Sequence, residues 1–217
     1  MIGCVLFDLE GTLVDFQWNL AEAEETLRRT ACGFGLDPGL FEGANYAAIH
    51  RRAVEAVGPA GRPAIERALA AVYDRYDMDA ASRWSLRDGT AEALGELARL
   101  GIPAALVTNI GRQAVEHVLG RFQLDRSFAA VVTRDDVRFM KPSGEGIRRA
   151  LGVLGVPPGH ALMVGDSLSD VGAAREAGVR VAVVLGGESP PDRLLAARPD
   201  HVLHGLHELV PKVVHPG

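Results

Sequence analysis

The chain contains 217 residues, of which 47% are hydrophobic and 24% are charged, and its formal net charge is −5. This composition is typical of a soluble globular protein that is large enough to bury a sizeable core. The mildly acidic composition lacks the excess of basic residues that is typical of nucleic-acid-binding proteins, and no apolar stretch is long enough to span a bilayer. We therefore expect a protein with no nucleic-acid partner and no membrane partner.

Two further features of the sequence bear on its location. Cys4 and Cys32 are the only cysteines, and two cysteines cannot form a disulfide framework, so the cytoplasm is the expected compartment. Residues 1–7 lack the basic segment that begins a signal peptide and instead predict a strand. The sequence leaves the oligomeric state open between a monomer and a homodimer.

Short apolar runs predict the strands. Several of these runs are apolar at every position, which is typical of strands that are buried on both faces of a parallel sheet. In chain order the six runs cover residues 3–7, 104–108, 129–133, 161–165, 179–185 and 201–203.

The segment between the first two predicted strands contains no convincing strand of its own. Its amphipathic stretches predict helices over residues 20–29, 46–57 and 64–76. The sequence Gly58-Pro59-Ala60-Gly61 is expected to form a loop between the last two of these helices. We therefore predict a helical domain at residues 16–84, inserted into a core domain of residues 1–15 and 85–217.

Beyond this segment, helical stretches alternate with the predicted strands. One helix is expected over residues 91–100, because Gly101 follows it as a stop signal. Two more are expected over residues 144–154, with Ser143 as the N-cap, and over residues 170–177. The alternation predicts βαβ units, and therefore an α/β fold with a Rossmann-like parallel sheet.

Polar side chains that suit catalysis stand at the ends of several predicted strands. In an open parallel sheet, the loops after the carboxyl ends of the strands form the ligand site. Each motif alone is weak, because an acidic residue before a glycine usually belongs to a turn. The ordered set is what indicates a catalytic site. Its four motifs are Asp8-Leu9-Glu10-Gly11-Thr12, Thr108-Asn109, Lys141-Pro142, and Gly165-Asp166 with Asp170.

These four motifs, in this order, resemble those of the haloacid dehalogenase (HAD) superfamily, whose members are mainly phosphohydrolases. The resemblance spans nearly the whole chain, and the predicted helical domain lies between the first two motifs, where that family carries its C1 cap. Subgroups with this cap include the phosphoglycolate-phosphatase-like and β-phosphoglucomutase-like proteins. The resemblance implies the HAD fold, with residues 16–84 as a helical C1 cap, and the phosphoglycolate-phosphatase-like subgroup.

The resemblance also implies a Mg²⁺-dependent phosphatase that acts on a small phosphorylated metabolite. Asp8 is then the nucleophile that forms an aspartyl-phosphate, and Glu10 is the general acid and base. Lys141 neutralises charge on the phosphate and on Asp8, while Thr108 and the backbone N–H of Asn109 bind phosphoryl oxygens.

A set of Mg²⁺ ligands follows from the same resemblance, since this ion prefers hard oxygen atoms. The ligands are the carboxylates of Asp8 and Asp166 and the backbone carbonyl of Glu10. Asp170 belongs to the metal site as a residue that orients the coordination shell or Lys141.

Glu10 departs from the family pattern, in which phosphatases usually have aspartate two residues after the nucleophile. Glutamate keeps the carboxyl group but is one methylene longer, and misplacement on the order of 1 Å can cost about a hundredfold in rate. The alternatives to a working phosphatase are a phosphomutase of the β-phosphoglucomutase type and a catalytically weakened protein that binds phosphoryl ligands. The intact set of other motif residues favours the working phosphatase.

Two other branches of the family fit poorly, and one histidine cluster has a simpler interpretation. The dehalogenase branch needs no metal, whereas the fourth motif has a metal-type carboxylate pair. A phosphonatase would use a cap lysine, and residues 16–84 contain none. His201, His204 and His207 recur at every third position, but they fall on a strand and the segment after it, so we expect a structural role.

Overall fold

The computed structural model describes residues 2–214. The chain divides into two compact units, a smaller one of Trp18–Arg83 and a larger one formed by the chain up to Gln17 and from Trp84 onward. The smaller unit starts two residues later and ends one residue earlier than the predicted insert of residues 16–84. Within residues 2–214, no helix is both long enough and apolar enough to cross a membrane.

The smaller unit is built from helices. Its three α-helices, α1 (Leu20–Cys32), α2 (Tyr46–Ala56) and α3 (Gly58–Arg83), pack against one another. Trp18 precedes them and donates its indole N–H to Asp77 Oδ1 at 3.1 Å. The buried side chains repeat at helical spacing, as the amphipathic pattern predicts.

The start of α3 corrects one prediction. The expected loop over residues 58–61 is wrong, because α3 begins at Gly58 and continues through Pro59 and Pro63. Pro59 lies in the first turn of α3, where proline is tolerated because the N–H groups have no intrahelical partner, whereas Pro63 lies inside the helix. Gly58 has a positive φ of 68°, which lets the chain turn sharply between α2 and α3 without a loop.

The larger unit contains a six-stranded parallel sheet. Its strands are β1 (Cys4–Phe7), β2 (Ala104–Val107), β3 (Ala130–Val132), β4 (Ala161–Gly165), β5 (Arg180–Val184) and β6 (His201–Leu203). Their order in the sheet is β3-β2-β1-β4-β5-β6. All six predicted strands are present, with ends within one residue of the predictions, so the α/β fold with a Rossmann-like parallel sheet is confirmed.

Helices cover the sheet between its strands. The continuous apolar sequences of β1, β2 and β4 are buried at every position, as expected for strands with helices on both faces. In chain order the helices are α4 (Thr90–Arg99), α5 (Arg112–Arg121), α6 (Glu145–Leu154), α7 (Leu168–Ala177) and α8 (Pro191–Ala196).

The starts of α6 and α7 correct two further predictions. The N-cap of α6 is Gly144 and not Ser143, although the Ser143 hydroxyl oxygen still accepts the backbone N–H of Glu145 at 3.3 Å. A Cβ on residue 144 would come within 2.9 Å of the Ala177 backbone nitrogen, so glycine is needed where α6 approaches α7. Helix α7 begins at Leu168, two residues before the prediction, because Ser167 caps it.

The strand order reverses beside β1, which pairs with β2 on one side and with β4 on the other. Phe7 lies in register with Leu106 of β2 and Val164 of β4. The residues that follow these three strands, among them Asp8 and Asp166, therefore emerge at one edge of the sheet. Such a reversal is where open α/β sheets form a ligand crevice.

Candidate active site

A buried ammonium group lies between two carboxylates at this edge of the sheet. Lys141 Nζ is 2.7 Å from Asp8 Oδ1 and 2.6 Å from Asp170 Oδ1. Only 4% of the Lys141 side chain is exposed, and the side chain of Asp170 is fully buried. Burial alone would lower the pKa of Lys141, but the charges of Asp170 and Asp8 outweigh burial and raise it. The lysine is therefore fixed as a cation beside Asp8.

A third carboxylate joins this group. Asp8, Asp166 and Asp170 each offer an oxygen, and these oxygens all lie within 4.8 Å of one another. Burial raises the pKa of Asp8 to about 6, opposed by Lys141 and reinforced by Asp170. Burial and the neighbouring charges of Asp170 and Asp8 raise the pKa of Asp166 well above its ordinary range. Three buried carboxylates with one ammonium leave a surplus of negative charge that a divalent cation would balance.

The carboxylate of Asp166 is held by groups from two other loops. Its Oδ1 accepts a hydrogen bond from Thr12 Oγ1 at 2.7 Å, and its Oδ2 accepts one from the backbone N–H of Glu188 at 2.6 Å. Two glycines lie against the same carboxylate, since a Cβ on Gly11 or on Gly187 would collide with it. Gly11 also has a positive φ of 79°. These hydrogen bonds and close contacts fix the orientation of the Asp166 carboxylate.

Both carboxylate oxygens of Asp170 accept hydrogen bonds from other groups of the protein. Oδ1 accepts from Lys141, and Oδ2 accepts from the hydroxyl of Ser167 at 2.6 Å and from the Ser167 backbone N–H at 3.0 Å. The backbone N–H of Asp166 donates to the same Oδ2 at 3.2 Å. These contacts cap α7 and hold Lys141, which is the geometry of a residue that orients its neighbours.

The loop after β2 carries the predicted phosphate-binding residues. Thr108 is 4% exposed, and its hydroxyl oxygen accepts the backbone N–H of Ile110 at 3.2 Å. The side-chain amide of Asn109 forms two hydrogen bonds with the Lys141 backbone. Its Oδ1 accepts from Lys141 N at 2.9 Å, and its Nδ2 donates to Lys141 O at 3.1 Å. Asn109 thus connects the loop that carries Thr108 to the loop that carries Lys141.

Glu10 lies after β1 and is nearly buried, with 8% of its surface exposed. Its Oε1 accepts two hydrogen bonds, one from the indole N–H of Trp84 at 2.9 Å and one from the backbone N–H of Gln17 at 2.8 Å. Two N–H donors on one oxygen fix the direction of this carboxylate.

Several residues that shape the site had no role predicted from the sequence. Thr12 belongs to the first motif without an expected contact of its own, and the loop after β5 with Gly187 and Glu188 lies outside all four motifs. The Gly186-Gly187 pair directly after an apolar strand was the available signal for that loop, since paired glycines often allow close approach of the backbone.

The histidines at residues 201, 204 and 207 do not form a metal group in the part of the chain that the structure describes. His201 lies on β6, and His204 Nδ1 is 3.7 Å from Glu208 Oε2. The structural role that the sequence predicts for these histidines stays a prediction.

Comparisons with known proteins add a family and several relatives. A family model described as haloacid dehalogenase-like hydrolase matches residues 2–178. The chain is 32% identical over 209 residues to the plasmid-encoded phosphoglycolate phosphatase of Cupriavidus necator, covering 94% of this chain and 90% of that protein. It is 31% identical over 217 residues to phosphoglycolate phosphatase 1 of Pseudomonas aeruginosa, covering 95% of this chain and 78% of that protein.

A solved structure shares the fold. The crystal structure of a CbbY mutant from Rhodobacter sphaeroides, in complex with xylulose-(1,5)bisphosphate, is similar with a TM-score of 0.64 and 27% sequence identity. The similarity covers 96% of this chain and 96% of that chain.

Proposed function

The chain belongs to the haloacid dehalogenase-like hydrolases and is a phosphatase, and we propose that it hydrolyses a small phosphorylated metabolite with the help of Mg²⁺. The observation that carries this proposal is Lys141, held between Asp8 and Asp170 beside the carboxylate of Asp166. A nucleophilic carboxylate is weak, so its catalysis depends on positioning and on neutralised charge. The cluster supplies both.

The reaction would proceed in two steps through Asp8. In the first step, a carboxylate oxygen of Asp8 attacks phosphorus in line with the leaving oxygen, and the bond between phosphorus and that oxygen breaks. Glu10 gives the leaving oxygen a proton. In the second step, Glu10 takes a proton from a water molecule as the water attacks the aspartyl-phosphate, and the bond between phosphorus and Asp8 breaks. Inorganic phosphate leaves, and both carboxylates return to their starting state.

The donor set fits a Mg²⁺ ion. The oxygens of the buried acidic cluster are hard ligands with surplus negative charge. Asp8, Asp166 and the backbone carbonyl of Glu10 would hold the ion, while Asp170 would keep Lys141 in place. When bound, Mg²⁺ would offset the negative charge of the carboxylates and of the phosphoryl group.

The phosphoryl group itself would be bound by Lys141, which lies beside Asp8, and by the loop after β2, which Asn109 connects to the Lys141 backbone. We assign its oxygens to the hydroxyl of Thr108, the backbone N–H of Asn109 and the ammonium of Lys141. These donors face developing negative charge in a site that is largely buried, where hydrogen bonds to charge are strong.

Phosphoglycolate is the first substrate to test, because relatives at 31–32% identity are phosphoglycolate phosphatases. A panel with phosphoglycolate, sugar phosphates and p-nitrophenyl phosphate is assayed for phosphate release with Mg²⁺ and with EDTA. We expect release with Mg²⁺ and none with EDTA. Asp8→Asn keeps the shape of the side chain and should abolish turnover; wild-type rates in this variant would overturn the covalent mechanism.

The alternatives give different results in the same experiments. A phosphomutase would convert one sugar phosphate into an isomer without releasing phosphate, which a phosphorus NMR time course separates. A protein that only binds phosphoryl ligands would release no phosphate from any substrate while remaining folded. A cytoplasmic location and a monomeric or homodimeric state stay predictions from the sequence.

A further inference from the structure

The carboxylate of Glu10 is held by a fully buried tryptophan. The indole N–H of Trp84 donates to Glu10 Oε1 at 2.9 Å, and Trp84 has no exposed surface. An indole N–H is a donor only, so its natural partner in a buried setting is an oxygen acceptor. A hydrogen bond between a buried donor and a charged acceptor is stronger than one exposed to water.

The second donor to the same oxygen is the backbone N–H of Gln17, at 2.8 Å. Gln17 is the last residue of the larger unit before the helical insert, and Trp84 is its first residue after the insert. Both donors therefore come from the two points where the chain leaves and re-enters the α/β unit.

These two chain segments are fixed to each other within the α/β unit. Val14 and Leu86 form an antiparallel bridge, and the backbone N–H of Asp15 donates to the Ser85 carbonyl at 3.0 Å. The Ser85 N–H donates in turn to Asp15 Oδ1 at 2.7 Å. The N–H groups that hold Glu10 thus lie next to two chain segments that are hydrogen-bonded to each other.

A glutamate needs such support more than an aspartate does in its place. Its side chain has one more rotatable bond, so its carboxylate samples more positions unless contacts select one. Displacement on the order of 1 Å can cost about a hundredfold in rate. The donors at Gln17 and Trp84 select a single direction for the Glu10 carboxylate.

We propose that Trp84 is a positioning residue for Glu10, and that its indole N–H holds the Glu10 carboxylate where it activates the water that hydrolyses the aspartyl-phosphate. The inference rests on the proposed function. Trp84 touches neither substrate nor phosphorus in this role and acts through Glu10. The water gives its proton to Glu10 as its oxygen bonds to phosphorus, and the Asp8–phosphorus bond breaks with its electron pair going to Asp8.

The test uses Trp84→Phe, which removes the indole N–H and keeps an aromatic ring. The probe is p-nitrophenyl phosphate, because nitrophenolate is a stable anion that leaves without a proton, so only the second step depends on Glu10. We expect decay of the phosphoenzyme, measured by rapid quench, to slow by about tenfold to a hundredfold, the range expected for a lost hydrogen bond to a charged group.

The steady-state constants give a signature that a general structural defect would not produce. When only hydrolysis of the covalent intermediate slows and becomes limiting, kcat and KM fall together and kcat/KM for p-nitrophenyl phosphate stays unchanged. With phosphoglycolate, whose alkoxide leaving group needs a proton from Glu10, kcat/KM should fall as well.

Trp18→Phe is the matched control, since Trp18 is the only other tryptophan and also donates its indole N–H to a buried carboxylate, that of Asp77. Its phosphoenzyme should decay at the wild-type rate. A folded Trp84→Phe variant whose phosphoenzyme decays within twofold of wild type overturns the inference. Failure of the wild type to form a phosphoenzyme or release phosphate overturns the proposed function instead.

A second variant covers the case in which Trp84→Phe does not fold. Glu10→Asp keeps the carboxyl group but ends one methylene short of the Trp84 indole. Its phosphoenzyme should decay more slowly than that of the wild type, again by about tenfold to a hundredfold. A wild-type rate of phosphoenzyme decay in Glu10→Asp would overturn the inference without any change at Trp84. Where Trp84→Phe does fold, adding it to Glu10→Asp should cause no further slowing, because the contact is already lost. Additive slowing would show that Trp84 does not act through Glu10.

Discussion

At Lys141 a single ammonium lies between the buried carboxylates of Asp8 and Asp170. Lys141→Met would leave these like charges facing each other without compensation. We expect a loss of about 3–5 kcal/mol in the free energy of unfolding, as for other broken buried ion pairs. Phosphate release should fall by at least about a hundredfold, because charge neutralisation is lost. Urea denaturation and the phosphate assay measure the two effects.

Lys212→Met is the control for this variant, since Lys212 is the only other lysine. Its side chain is 56% exposed and pairs with Glu208 at 2.6 Å. Exposed ion pairs contribute little, so both stability and activity should stay close to wild type. Equal losses in the two variants would contradict a special role for Lys141.

Gly187 allows the loop after β5 to lie against the Asp166 carboxylate, with which a Cβ on this residue would collide. Gly187→Ala should displace that carboxylate and weaken Mg²⁺ binding by about 10- to 100-fold, the range seen when groups that orient a metal ligand are disturbed. Calorimetric titration with Mg²⁺ measures the change. Gly159→Ala is the control, because a Cβ on residue 159 would meet no atom within 4 Å, and unchanged affinity is expected there.

Helix α7 connects secondary structure to the active site through its N-terminal capping box. Ser167 caps the helix, and its hydroxyl also donates to Asp170 at 2.6 Å. Ser167→Ala should cost about 1 kcal/mol in the free energy of unfolding, as for lost N-caps. It should also lower kcat, because Asp170 loses a donor while it holds Lys141. Ser167→Thr keeps the hydroxyl and should restore both; an inactive but stable Ser167→Thr variant would contradict this account.

The elements themselves were largely predictable from local sequence. Continuous apolar runs located all six strands, because strands buried on both faces have no polar positions. Helix starts were predicted less accurately than strands. Ser167 and Asp170 form a capping box at the start of α7, but in the sequence the polar residues there were interpreted only as a site motif. The loop expected at residues 58–61 is absent because proline, which breaks a helix in its interior, is tolerated in the first turn of α3.

The contacts within the site were not predictable from local sequence. Thr12 and Asp166, which share a hydrogen bond, are separated by 154 positions, and Trp84 and Glu10 by 74. Such pairs depend on strand order and register, which apolar runs do not specify. The motifs predicted which side chains carry chemistry, while the residues that contact those side chains became visible only in the three-dimensional arrangement.

The α/β unit concentrates negative charge in the acidic cluster of Asp8, Asp166 and Asp170, and burying these like charges together costs stability. Burial and like charges raise the pKa of Asp166 well above its ordinary range, and all three carboxylates of the cluster are buried. A ligand that binds only the folded state stabilises it by mass action. The folded chain should therefore respond to Mg²⁺ in its thermal stability as well as in its activity.

We expect saturating Mg²⁺, at about a hundred times its dissociation constant, to add about 2.7 kcal/mol and to raise Tm by roughly 5 to 10 °C. Asp166→Asn removes one charge of the cluster, and its amide can still accept from Glu188 N–H and face the Thr12 hydroxyl. Without metal this variant should be at least as stable as the wild type, because buried repulsion is relieved. With Mg²⁺ its Tm should not move. Scanning calorimetry of both proteins, with Mg²⁺ and with EDTA, measures this; an equal Mg²⁺-dependent shift in Asp166→Asn would place the ion elsewhere.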